Sequence, residues 1–293
     1  MEAGLFDAAF LASLRGLRLR RRRARAADRA GERAAGGRGG RVEFAGHRAY
    51  APGDEIRSID WAATARTGRL FVKEYEREAA ERATVALDGS ASMAAFGKWG
   101  AARRIAAGAG MLALLGGARV DLVLLQEGTA RRLATLRGRG GMTRLLEALS
   151  GLEARGRTDL PRALAALPRP AGRGAVLVLV SDLLEEGDPG PALAARAARG
   201  EEPVLLEVLA PEERTPTGRG TLVLADPERP GEGPLRVAVG EREARAFAAE
   251  VRRRVEEHAS LARRLRGTHL LARTEVPAGE VLRPLAATDR ARR

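Results

Sequence analysis

Residues Asp88-Gly89-Ser90-Ala91-Ser92 place one carboxylate and two hydroxyls at alternate positions of a five-residue stretch. The run before them, 83–87, is short, apolar and unbroken, as a strand buried on both faces should be. A loop leaving such a strand can turn the oxygens of Asp88, Ser90 and Ser92 toward one centre, and Gly89 and Ala91 keep the positions between them small. A second apolar run, 175–180, ends in Ser181-Asp182, and a third loop, Gly156-Arg157-Thr158-Asp159, leads into a helical stretch. If the two strands are neighbours they lie about 5 Å apart, so Asp88 meets Asp182 across the crevice. Thr158 then adds a further hydroxyl.

Oxygen donors without histidine or cysteine suit a hard cation. Mg2+ is the expected occupant, with Mn2+ or Ca2+ as other divalent choices. Two close carboxylates repel each other, and a cation between them relieves that cost. Neutral serine and threonine donors leave the ion able to accept one more oxygen, for which a partner's Asp or Glu carboxylate is the natural source. Taken singly, the pieces have a plainer use, because Asp-x-Ser-x-Ser and Ser-Asp are also ordinary helix caps. Their order at the ends of strands is what makes them specific together.

The elements that must position these residues follow from the apolar pattern. Runs at 83–87, 120–125, 175–180 and 204–209 alternate with helix-forming stretches at 98–115, 142–149, 159–167 and 191–199. Such alternation predicts a mostly parallel sheet with helices on both faces and a ligand crevice beyond the carboxyl ends of the strands. The runs 221–224 and 235–239 flank a Pro/Gly-rich turn, which predicts a hairpin inserted near 220–240. A long helix at 241–266 follows, with His258 on its apolar stripe as a packing residue, then a strand at 268–272 and a closing helix at 280–286. The main domain is expected to span 81–293. Residues 41–80 hold both tyrosines, Trp61 and a Pro-Gly-Asp turn, and read as a small β-containing module. Residues 1–40 read as a basic amphipathic helix and a glycine-rich tether.

Composition narrows the function. The 293 residues are 45% hydrophobic but only 3% aromatic, so the core must be built from Ala, Val and Leu. No cysteine is present, which excludes disulfides and thiolate zinc sites. The formal charge of +13 invites a nucleic-acid reading, but Lys73 and Lys98 are the only lysines and the arginines are interspersed with acids. The densest basic cluster, Arg15 to Arg25, follows a short apolar stretch on which Phe6, Phe10, Leu14 and Leu17 share one helical face. That stretch is too short to span a bilayer. It can dock on the protein, or residues 5–25 can touch a membrane surface. Nucleic-acid contact is disfavoured because no aromatic residues interleave with the arginines to stack bases. A Mg-dependent hydrolase of the haloacid-dehalogenase type stays open as an alternative, but it requires an acid at position 90, where serine stands. No phosphate-binding loop and no Ser/His/Asp arrangement is present, so the chain is read as not an enzyme.

The set Asp88, Ser90, Ser92, Thr158 and Asp182 resembles the metal-ion-dependent adhesion site of von Willebrand factor A domains. Upstream, residues 44–61 (FAGHRAYAPGDEIRSIDW), 65–70 and Lys73-Glu-Tyr-Glu resemble the signature of the bacterial domain-of-unknown-function family 58, as does Asp226-Pro-Glu228. The resemblance covers residues 40–285 in rough outline and implies a von Willebrand factor A-like fold. It also implies partnership with a MoxR-type AAA+ ATPase, in chaperone-like assembly, activation or cofactor insertion for another complex. Many relatives carry membrane-spanning helices upstream; none is readable here, which shifts the expected location to the cytoplasm. The loop 94–99 is shorter than the family pattern. Read from the residues alone, Asp54, Arg57, Asp60 and Arg66 cluster around Trp61 and Tyr50, either locking the module by ion pairs or, through Arg57, Trp61 and Arg66, offering a partner contact.

Overall fold

The apolar face at the start of the chain is spent on the interior. In the computed structural model, α1 (Ala8–Ser13) starts at Asp7, whose carboxylate accepts from the Phe10 N–H at 2.7 Å. Leu5, Phe10 and Leu14 are buried, and β1 (Leu17–Leu19) pairs antiparallel with the last strand of the chain. Among the described residues of the stretch considered for a membrane surface, Leu5, Phe10 and Leu14 are thus buried in the protein, and Leu11 is exposed. The structure describes residues 4–14, 17–19, 42–50, 59–77, 82–157, 159–169, 174–185, 187–216, 218, 220–229, 231 and 233–288.

Backbone packing groups the chain into two units, Met1–Arg21 with Arg82–Arg293, and Arg22–Glu81. In the smaller unit β2 (Val42–Ala49) pairs antiparallel with β3 (Phe71–Arg77), with a bulge between Phe44 and Gly46. Between them α2 (Trp61–Thr67) is capped by Asp60, whose Oδ1 accepts from Ala62 and Ala63 N–H at 3.0 Å each. Ile59, Ala63 and Val72 are buried, whereas Trp61 is 62% exposed.

The larger unit is built on a six-stranded sheet. Its elements run β4 (Arg82–Asp88), α3 (Lys98–Leu115), β5 (Arg119–Gln126), β6 (Thr129–Leu136), α4 (Gly138–Ser150) and α5 (Leu160–Ala166). They continue through β7 (Ala175–Ser181), α6 (Gly190–Ala197), β8 (Glu201–Leu209) and α7 (Pro211–Arg214). The hairpin β9 (Gly220–Leu224) and β10 (Leu235–Val239) follows, then α8 (Glu241–Arg264), β11 (Thr268–Arg273), α9 (Ala278–Leu282) and β12 (Ala286–Thr288). Strand order is β11-β8-β7-β4-β5-β6, parallel throughout except for β6 at the edge.

Side chains of β4 alternate between two apolar layers, as a strand's period of two requires. Val85 and Leu87 join Phe10, Ile105, Leu112, Leu145 and Leu282 on one face. Ala86 joins Leu160, Leu164, Leu193 and Ala262 on the other. Helices thus cover both faces, and the mostly parallel α/β architecture expected from the alternating runs is the one observed. The antiparallel edge strand β6 was not expected. Its Arg131 and Arg132 break the apolar pattern, and it is entered through the two-residue turn Glu127-Gly128, with φ of 51° and 68°. A turn with positive φ at both central residues matches the twist of an antiparallel pair.

On the far side of the sheet, His258 of α8 and His269 of β11 both approach Glu207 of β8, at 3.2 and 2.7 Å. Glu207 is wholly buried. Among the described residues no helix is long and apolar enough to cross a membrane.

Candidate metal centre

β4 and β7 are adjacent and parallel, with Leu87 opposite Val180. That register brings Asp88 to Ser181, one residue before Asp182. The Ser181 hydroxyl donates to Asp88 Oδ2 at 2.7 Å, and the Ser90 N–H donates to Asp88 Oδ1 at 3.0 Å. Ser90 and Ser92 hydroxyls lie 3.0 Å apart. Asp88, Ser90 and Asp182 are buried, and Asp88, Ser92 and Asp182 line one cavity of about 880 Å³. Four of the five residues singled out from the sequence therefore meet at one lip of the sheet. Thr158 lies outside the described residues. The loop just before it is fixed at this lip, because Ala91 N–H donates to Gly156 O at 2.9 Å and Arg155 N–H to Gly89 O at 2.8 Å. Gln126 Nε2 ties the same two loops, donating to Gly89 O at 2.7 Å and Arg155 O at 3.2 Å. Gly89 leaves room for this, since a Cβ there would sit 2.7 Å from Leu124 Cδ1 and 3.0 Å from Gln126 Nε2, and both side chains would have to shift.

The electrostatics show a shortage of positive charge beside Asp88. Burial, and then the charge of Asp182, push the Asp88 carboxyl up to about 6, against the lowering effect of its hydrogen bonds to Ser181 and Ser90. Among the described residues, eight carboxylates line the cavity, including Asp159, Glu185, Asp226 and Glu228, against two arginines, Arg157 and Arg229. Glu185 is pushed to about 7 by burial and by the charges of Asp88, Asp159 and Glu228, although the Leu160 N–H donates to both its oxygens.

Two residues missed in the sequence complete the setting. Lys98, the first residue of α3, is buried and its Nζ lies 2.6 Å from Asp182 Oδ2 while also bonding Glu213 Oε1. Glu213, in α7, accepts from the Ala210 N–H at 3.0 Å through its other oxygen. A lysine is conspicuous in a chain that has two, and that rarity was the available signal. Nothing local ties Glu213 to a residue 115 positions away.

The donor set suits a hard divalent cation: carboxylate and hydroxyl oxygens only, with a buried acid whose charge is not balanced. Among the described residues no group of three or more His, Asp or Glu could hold a metal, so an ion here would need hydroxyl and water oxygens in its shell. The proposed contact residues belong to the smaller unit. Trp61 and Arg66 are exposed on α2, and Arg57 lies outside the described residues.

A mostly parallel sheet flanked by helices, with an Asp-x-Ser-x-Ser loop at the end of one inner strand and an Asp at the end of the next, makes this a von Willebrand factor A-like α/β protein. The chain belongs to the family described as "Protein of unknown function DUF58", whose family model matches residues 46–258. It is 32% identical over 189 residues to the uncharacterized protein Rv1480 of Mycobacterium tuberculosis H37Rv and equally to Mb1516 of Mycobacterium bovis. Those matches cover 62% of this chain, which spans 59% of the length of either relative. Among solved structures it is similar to the conserved hypothetical protein BatB from Bacteroides thetaiotaomicron, at 17% identity and a TM-score of 0.46, over 70% of this chain and 96% of that one. It is also similar to a von Willebrand factor type A protein from Catenulispora acidiphila, at 14% identity and a TM-score of 0.38, over 73% and 43% of the two chains.

Proposed function

We propose that this chain is a metal-dependent protein-interaction module that acts with a MoxR-type AAA+ ATPase, in chaperone-like assembly or activation of another complex. The observation that carries the reading is the meeting of Asp88, Ser90, Ser92 and Asp182 beside one acidic cavity. A bound Mg2+, Mn2+ or Ca2+ would supply a positive charge open to one further carboxylate oxygen, offered by an Asp or Glu of the ATPase or of a client. The chain's part is to hold the two acids at adjacent strand ends and to set the serine hydroxyls beside them. The surrounding carboxylates make the metal a condition of binding, because without it they repel an acidic ligand.

The ATPase partnership is what family membership implies, and it agrees with the lack of a phosphate-binding loop in the sequence. Trp61 and Arg66, with Arg57, are the contact we assign to a partner; an exposed tryptophan and arginines are the residue types that anchor interfaces. Binding is favoured over catalysis because position 90 carries a serine hydroxyl where phosphate chemistry on Asp88 would need an acid.

The test is calorimetric titration of the MoxR-type ATPase encoded in the same genome, at constant Mg2+, with wild type and Asp88→Ala. Constant Mg2+ is needed because the ATPase uses it too. Wild type should bind at least tenfold more tightly, with circular dichroism showing both proteins folded. Equal affinities would sink the metal-bridge reading.

A further inference from the structure

Lys98 has no role in the readings above, yet it is among the largest fully buried side chains among the described residues, at 1% exposure. A buried ammonium is costly unless it is paired and hydrogen-bonded. Here Lys98 Nζ donates one hydrogen bond to Asp182 Oδ2 at 2.6 Å and another to Glu213 Oε1. Held between two carboxylates, the side chain is paired on both sides as a charged ammonium.

Its position joins three segments. Lys98 opens α3 directly after the 3-10 turn Ala91–Gly97, which contains Ser92. Asp182 follows β7, and Glu213 lies in α7, between β8 and the hairpin. The chain linking β9 to β10 contributes Asp226 and Glu228 to the cavity that Asp182 and Glu213 also line. One Asp182 oxygen is already bonded to the ammonium, and the other accepts from the Leu184 N–H at 3.3 Å. Asp182 is therefore shared, before any ion arrives, between a candidate metal centre and an internal cation.

We propose that Lys98 is a built-in counter-ion of this centre, competing with the divalent ion for Asp182 and linking occupancy of the site to Glu213 and α7. The inference rests on the metal-binding reading above. Two cations beside one carboxylate repel each other, so the ammonium weakens metal binding while holding the metal-free site together. When a divalent ion draws on Asp182, the ammonium's bond to Glu213 strengthens, and α7 feels the change. Lys98 is thus a positioning residue that sets how much divalent ion is needed to load the site.

Titration of the full chain with Mg2+ by calorimetry tests this in wild type, Lys98→Met and Glu213→Gln. Lys98→Met removes the competing charge at nearly constant volume and should tighten Mg2+ binding at least tenfold, while lowering Tm in EDTA. Glu213→Gln leaves the ammonium to Asp182 alone and should weaken Mg2+ binding several-fold. A purely structural role would loosen binding in both variants, so the opposite signs are decisive. Amide resonances of residues 212–214 should shift with Mg2+ in wild type and lose that response in Lys98→Met. Wild-type binding with Lys98→Met equal or weaker would overturn this inference and leave the metal site standing. No Mg2+ binding by wild type would overturn both. If Lys98→Met does not fold, Lys98→Gln takes its place, since it also removes the charge, and equal or weaker Mg2+ binding there would end the proposal.

Discussion

At the scale of single residues, the candidate centre is a place where acids sit close together with few cations, and their titration reports it. Glu185 is raised from 4.5 to about 7, so the folded chain holds a proton there that the unfolded chain has released. A raised carboxyl stabilises the fold fully below 4.5, and that contribution is lost as pH rises through about 7. Glu185→Gln should flatten the fall in Tm between pH 5 and 7.5; thermal unfolding across that range measures it, and an unaltered slope would contradict the assignment. Much of the site was legible at this scale. Asp88, Ser90 and Ser92 sit within five residues, so their convergence is a local property of one loop. The partners Ser181 and Lys98 were not legible as partners, since a hydrogen bond spanning 93 or 84 residues leaves no mark in spacing.

Elements carry a second ionic centre, on the opposite edge of the sheet from β6. Burial would raise the Glu207 carboxyl, but the close approach of His258 and the hydrogen bond with His269, together with their charges, bring it below its ordinary value. The pairing ties β8 to β11 and α8. A lowered carboxyl contributes stability above the unfolded value of 4.5 and loses it as pH falls through the folded value. Removing one member of a buried ionic cluster strands the others, so Glu207→Ala should cost about 3 kcal/mol. Urea unfolding at pH 7 would show it, and a loss under about 1 kcal/mol would mean that the cluster is incidental. His258 was read as a packing residue from its place on the apolar stripe of α8. Its acidic partner was invisible because Glu207 interrupts an apolar run without altering its strand character. Core strands and long helices were legible because burial on both faces demands unbroken runs of Val and Leu. The edge strand β6 was not, because one side of it faces solvent and its arginines hide the period.

Across the whole molecule, the start of the chain belongs to the core of the larger unit. Phe10 and Leu14 pack in the same apolar layer as α3 and α9. Deleting residues 1–14 removes three buried large apolar side chains, Leu5, Phe10 and Leu14; it should cost at least about 4 kcal/mol, and at about 2–4 °C per kcal/mol it should lower Tm by about 10 °C or more. A Tm unchanged in differential scanning calorimetry would show that α1 is dispensable. Charge is also uneven at this scale: a chain with a net charge of +13 keeps one cavity lined mainly by acids. That contrast favours a cation at the site and selects against an acidic ligand that arrives without one.

The amino-acid order by itself determined the α/β class, the inserted hairpin and the loop that bears Asp88, because these depend on periodicity and short-range spacing along one stretch of chain. Which strands are neighbours is a matter of tertiary packing, and only that packing decided that Ser181 would hold Asp88 and that Asp182 would share its charge with a buried Lys98. Electrostatic energy depends on distance through space and on burial, and the linear text records neither.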